Sequence, residues 1–184
     1  MAGRLSYRFD AFLTHDWGIQ QDNHKRVAFI FRELIALGFV LWFDEVEMTG
    51  DIDEAMRKGI DDSFSMIFFI TKRYIAKINS GDESDNCLKE FKYAFLKKKS
   101  PILIVMDENV RPSDLNDGAI GFKMGNKLFI NMSKEYKIDE LVAQMAKLGI
   151  YPRAPPALPV PTPVQAITSG VASIAVAPKV KFYL

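Results

Sequence analysis

Only three side chains of the usual soft metal-ligand types occur in the 184 residues: one cysteine, Cys87, and two histidines, His15 and His24. One thiol closes no intrachain disulfide, so a reducing, cytoplasmic setting is expected. Two histidines and one cysteine do not complete a structural zinc tetrad, so no metal site is expected. No apolar run reaches the roughly 20 residues that cross a bilayer. Met1-Ala2-Gly3-Arg4-Leu5 lacks the apolar core of a secretory signal. The formal net charge of +1 gives neither nucleic acid nor an anionic membrane a handle, and neither is expected as a partner. Motifs are missing too. There is no Gly-x-Gly-x-x-Gly after the first apolar run, no Gly-Lys-Ser/Thr loop and no Gly-x-Ser-x-Gly. Ordinary dinucleotide binding at a helix N-terminus, P-loop chemistry and the α/β-hydrolase nucleophile lose their support.

What is present is core material: 48% of the residues are hydrophobic and 12% aromatic, enough for a packed domain. Residues 7–14 read as a first strand. Asp22 or Asn23 can cap the helix that follows, whose apolar stripe is Val27, Ile30, Phe31, Leu34 and Ile35. Gly38 stops it. Phe39-Val40-Leu41-Trp42-Phe43 is too short and too apolar for anything but a strand covered on both faces. Asp44 to Gly50 is a polar loop. Asp51 and Glu54 form a capping pair before a helix that buries Ile52, Met56 and Ile60. Ser65 to Thr71 is a third strand. A helix from Asp85 to Lys97-Lys98-Lys99 places cations at its negative end. Ile102 to Met106 and Lys127 to Asn131 are the fourth and fifth strands, separated by an irregular stretch, Asp107 to Asn126. Ile138, Leu141, Val142, Met145 and Leu148 define a last amphipathic helix.

Strands alternating with helices specify an α/β fold of flavodoxin-like type. Its five-stranded parallel sheet carries helices on both faces. A phosphoacceptor receiver shares that plan, but it needs an Asp ending the third strand and a Lys after the fifth. Thr71 and Met132 stand there instead. The domain is expected over residues 1–151. Residues 152–184 are proline-rich at first, which favours an extended, stiff and unpacked linker and tail. Arg153, Pro156 and Pro159 have the spacing of a proline-groove ligand, a pattern common by chance.

Cys87-Leu88-Lys89-Glu90-Phe91 places a thiol and a carboxylate on one helix face after a buried strand. Taken with Phe9 to Thr14, with Trp42-Phe43-Asp44 through Gly50 and on to Ser63, and with Ser65 to Tyr74, it completes a series in characteristic order and spacing. Over residues 7 to about 150 the chain resembles Toll/interleukin-1 receptor (TIR) domains. The resemblance implies innate immune or cell-death signalling by self-association, with other TIR proteins as further partners.

The family divides into adaptors that only assemble and members that cleave NAD+ between nicotinamide and ribose. The cleaving members imply NAD+ as substrate with no cofactor, and Glu90 as the catalytic residue. A fixed carboxylate suits that reaction, because loss of nicotinamide leaves a cation-like ribosyl centre. The same comparison implies substrate contacts from Thr14, His15, Trp42 and Cys87. It makes Asp44, Glu45, Val46, Glu47, Met48, Thr49 and Gly50 an assembly loop. From the residues alone, Trp42 is equally a core aromatic, His15 a surface residue beside Asp16, and Glu90 a solvated residue between Lys89 and Lys92. Asn86 stands where the family has Trp, and no arginine follows the first strand to hold a diphosphate. The acidic loop moves the chain away from the Toll-receptor adaptors. The remaining alternative is a non-catalytic scaffold working by homotypic assembly.

Overall fold

The computed structural model describes residues 3–153 apart from Thr49 and Asn126. The proline-rich tail expected from the sequence lies outside the described residues from 154 onward, as does Thr49 of the expected assembly loop.

Five parallel strands form one sheet: β1 (Phe9–His15), β2 (Leu41–Trp42), β3 (Ser63–Ile70), β4 (Ser100–Val105) and β5 (Phe129–Asn131). Their order is β2-β1-β3-β4-β5, the flavodoxin-like arrangement. Successive strand side chains alternate between two cores. On one face Ala11, Leu13, Ile67, Phe69 and Ile104 pack against α1 (Asp22–Ala36) and α8 (Ile138–Lys147). On the other, Phe12, Met66, Phe68, Leu103 and Val105 meet the remaining long helices. These are α3 (Ile52–Asp61), α4 (Lys72–Asn79) and α5 (Asn86–Leu96). Burial on both sides explains the unbroken apolar runs in the sequence.

The helix starts follow their caps. Asp51 accepts the Glu54 amide at 2.9 Å, Thr71 the Tyr74 amide at 2.9 Å, and Asp85 the Cys87 amide at 2.8 Å. Gly38 adopts φ +92°, the left-handed stop expected of it.

Several expectations need correction. The run from Phe39 to Phe43 pairs only at Leu41 and Trp42, because β2 is an edge strand whose partner β1 carries it only past Ala11 and Phe12. Asp44–Glu47 is not a loop but a short helical turn, α2, with three carboxylates at its positive end. Asp107 to Asn126 is not wholly irregular: it holds α6 (Pro112–Asn116) and α7 (Gly118–Met124). Both are too short to show a helical period, but Pro112 at the first position marks the start of α6. Neither Asp22 nor Asn23 caps α1; Asp22 lies inside its first turn. Ile35 and Ile52 are 42% and 49% exposed, on the rims of their helices' buried faces.

Contacts with the domain continue past Tyr151. Asp10 is fully buried, and its carboxylate is held by Arg4 at 2.8 Å, by Arg153 at 2.8 Å and by the Val40 amide at 2.8 Å. Arg153 donates as well to the Tyr7 carbonyl at 3.1 Å. It is therefore a structural strap, and its guanidinium is not free for a proline-groove partner. Arg153→Ala should destabilise the domain by about 1–3 kcal/mol in urea unfolding, the scale of a hydrogen bond to a buried charge. An unchanged midpoint would place Arg153 in the linker after all.

Candidate active site

At its carboxyl end, β1 sends consecutive side chains to different places. Thr14 faces α4 and α5; His15 faces α1. From α5, the face carrying Cys87, Glu90, Phe91 and Ala94 is buried, while Lys89 and Lys92 turn outward to pair with Asp53 and Glu83. Glu90 is only 8% exposed. Thr14 Oγ1 donates to Glu90 Oε2 at 2.6 Å and lies 3.1 Å from the Tyr74 hydroxyl. Thr14 has one proton and gives it to the carboxylate, so Tyr74 is the donor to Thr14. Burial pushes the Glu90 carboxyl up to about 8; the Thr14 bond opposes the shift, and Asp44 and Asp85 add to it.

Glu90 borders a cavity of about 390 Å³, within the range of small-ligand sites. Its walls come from the end of β1 (Leu13, His15, Asp16), from Trp17, and from Asp44 and Met48 after β2. Ile52 and Met56 of α3, Arg73 and Lys77 of α4, and Asn86 and Cys87 of α5 complete them. A larger cavity of about 600 Å³ adjoins it, sharing Asp16 and Arg73, but does not reach Glu90.

Of the residues expected from the sequence, His15, Cys87 and Glu90 line one cavity. Thr14 has no exposed surface. It hydrogen-bonds Glu90 from behind and does not line the cavity, because strand alternation turns it into the packed face. The Cys87 thiol lies 3.5 Å from the His15 carbonyl oxygen. Burial and the nearby Glu90 push its titration up, so it is an inert wall, not a nucleophile.

Trp42 does not reach this cavity. It stacks on Phe12 at 4.0 Å and is 3% exposed. Its indole lies so close to Gly59 that a Cβ there would stand 2.4 Å from Nε1. It is a core aromatic, and with Val46 and Glu47 it borders a separate cavity. Within the acidic loop, Asp44 and Met48 face Glu90's cavity, while Glu45 reaches His24 and Gly50 is exposed.

His15 is not a surface residue paired with Asp16. Its Nε2 lies 2.8 Å from His24 Nδ1. Burial, chiefly, pushes its pKa down to about 4, with Asp44 opposing and His24 assisting. Asp16 instead accepts from Thr71 and from the Gly18 amide. The pairing of His15 with a residue of α1 was missed because a count of cysteines and histidines says nothing of what the chain brings together.

Two cations, Arg73 and Lys77, do line this cavity. They lie in the helix after β3, where no arginine was sought. The rule that ligands bind at the carboxyl ends of the strands flanking the switch point predicts that place, since the switch here lies between β1 and β3. Partial burial lowers the Lys77 pKa, but the bond to Asp85 at 2.7 Å and the charge interactions with Cys87 and Asp85 together raise it above the ordinary lysine value.

A family model described as TIR domain matches residues 12–146. The chain belongs to the TIR domain family. Among solved structures it is similar to the TIR domains of the activated Roq1 resistosome directly recognizing the pathogen effector XopQ, with a TM-score of 0.55. That match has 16% identity and covers 77% of this chain and 99% of that one, a likeness of fold. No curated protein is similar enough to this TIR domain to count as a relative. Among the described residues, no helix is long and apolar enough to cross a membrane.

The Glu90 environment makes a stability prediction for this TIR domain. Its pKa is higher folded than unfolded, so its contribution is fully present below the unfolded value of 4.5 and is lost as pH rises through about 8. Glu90→Gln keeps an acceptor for Thr14 without the charge. It should melt a few degrees above wild type at pH 8.5, at about 2–4 °C per kcal/mol for a chain of this size. The gap should close by pH 4.5. Parallel melting curves across that range would show Glu90 to be solvated.

Proposed function

We propose that this TIR domain is an NAD+ nucleosidase, cleaving the bond between nicotinamide and ribose with Glu90 as the catalytic carboxylate. The observation that carries this reading is a buried, hydrogen-bonded carboxylate on the wall of a small-ligand cavity that Arg73 and Lys77 also border.

The chemistry follows from the charges. Nicotinamide leaves C1′ with the bonding electron pair and becomes neutral, and positive charge passes to the ribosyl carbon and ring oxygen. A carboxylate beside C1′ stabilises that charge in a site poor in water, where each interaction is worth more than in solution. Water adding to C1′ gives ADP-ribose and a proton; an internal nucleophile gives a cyclic product. The substrate's pyridinium cation favours the ionised form of Glu90, so binding draws off the proton that burial retains. Arg73 and Lys77 supply donors suited to a diphosphate. The adjoining 600 Å³ cavity, which shares Arg73, has room for the adenosine half. NAD+ is thus a substrate, and no cofactor is required.

Signalling through assembly belongs to the same proposal. The similar structure is an assembled resistosome, and the turn after β2, with Val46 59% exposed, is the surface this reading assigns to TIR–TIR contacts. The lysines that follow α5 are engaged within the domain itself. Lys97 pairs with Asp61 at 2.8 Å, and Lys99 donates to the carbonyls of Asp61 and Ser63.

The test is nicotinamide release from NAD+ by concentrated protein. Glu90→Ala should lower turnover at least about 100-fold, the scale of losing a preorganised charge-stabilising group. Turnover equal to wild type would overturn the assignment of Glu90. A wild type that assembles and releases no nicotinamide would establish the scaffold reading instead. In wild type, kcat/KM should rise with pH through about 8 and then level, since that parameter follows ionisation in the free protein.

A further inference from the structure

Three side chains from three separate elements converge beside the Glu90 cavity. His15 comes from the end of β1, His24 from the first turn of α1, and Asp44 from the start of α2. One ligand atom from each lies within 4.8 Å of the other two. His15 Nε2 and His24 Nδ1 are 2.8 Å apart, and the Asp44 carboxylate oxygens stand 3.9 Å from His15 Nε2 and 3.8 Å from His24 Nδ1. Bonds of about 2.0–2.1 Å around a tetrahedral ion place neighbouring donor atoms about 3.3 Å apart. The observed separations bracket that edge. We propose that His15, His24 and Asp44 form a three-ligand site for a divalent transition-metal ion, zinc in preference, with its fourth position facing the cavity.

The surroundings fit ligation at each member. Metal binding needs neutral imidazoles with lone pairs turned inward. The Leu13 carbonyl lies beside the His15 ring. Because Nε2 faces His24, Nδ1 is the ring nitrogen turned to that carbonyl; the 2.8 Å contact between His15 Nε2 and His24 Nδ1 carries one proton when no ion is bound, and a bound ion would displace it. His24 Nε2 lies 3.6 Å from Glu45 Oε2. That is longer than a hydrogen bond, but a negative charge on this side of the ring favours the proton on Nε2, so that an ion would take Nδ1, as in a carboxylate–histidine–metal arrangement. The Trp17 indole donates to Asp44 Oδ2 at 2.9 Å and fixes that carboxylate. Two imidazoles and one carboxylate suit zinc better than magnesium or calcium, which prefer oxygen ligands alone. A bound ion would tie α2 to β1 and α1, pinning the turn after β2. The inference does not rest on NAD+ cleavage.

The experiment uses the full chain with any histidine tag removed. Co2+ titration should give the visible absorption of a tetrahedral site at one equivalent, and Zn2+ should abolish that absorption. Zn2+ should also raise the melting temperature by several degrees. His24→Gln should lose both responses, and Glu45→Gln, at an exposed position, should weaken Zn2+ binding about 10–100-fold. Circular dichroism confirms folding of each variant; should His24→Gln fail to fold, Asp44→Asn and Glu45→Gln carry the test. No cobalt absorption in the wild type would overturn the site. So would unchanged affinity in every folded variant, with Cys87 or the surface as the source of any signal.

Discussion

The register of β1 is the constraint on which the rest of the molecule depends. It is paired on both sides, to β2 through Ala11 and Phe12 and to β3 from Phe9 to His15. That pairing fixes the directions of three consecutive residues at its carboxyl end. Thr14 goes to Glu90 and Tyr74, His15 to His24 and Asp44, and Asp16 to Thr71 and the larger cavity. A slip of one residue would exchange the faces of Thr14 and His15 and dismantle both clusters at once. The apolar runs Ala11 to Leu13 of β1 and Met66 to Ile70 of β3 are what hold the register, because each is buried over its whole length.

Glu90 shows what such a site costs. A carboxylate at 8% exposure with one strong hydrogen bond is under-compensated, and its raised pKa expresses the shortfall. Most buried acids in this protein are better served. Asp10 has two arginines and an amide. Asp16 has Thr71, Asn23 and the Gly18 amide. Among the buried acids of the described residues, Glu90 is the one left short of partners, and it stands on a cavity wall where a bound cation would complete its environment.

Much of this was legible in the sequence. The order of strands and helices, the cap at Asp51, the helix start near Asp85, the stop at Gly38 and the buried face shared by Cys87, Glu90 and Ala94 all follow from local rules. Trp42 did not follow, because an aromatic in an apolar strand looks the same whether it faces a cleft or a core; only Gly59 and Phe12, distant in sequence, decide it. Arg73 and Lys77 escaped because the search looked after β1, whereas the crevice belongs equally to β3. α6 and α7 escaped because a five- to seven-residue helix has no period to read. The convergence of His24 with Asp44 is a property of the fold and has no local signature.

Asp44 joins these separate parts. It is the first residue of α2, accepts from Trp17, lies within 4 Å of both histidines, and contributes to raising the Glu90 pKa. The position of the turn after β2 is therefore registered at Glu90 as an electrostatic field. A contact that drew this turn outward would remove a negative charge from the cavity and ease ionisation of Glu90. One that pressed it inward would do the opposite. Coulomb's law falls off slowly enough across a few ångströms of low-dielectric interior for such a shift to be felt without any change in Glu90's own hydrogen bond. Loop position and carboxylate ionisation are thus coupled through one side chain, and the same turn presents Val46 to solvent on its outer side.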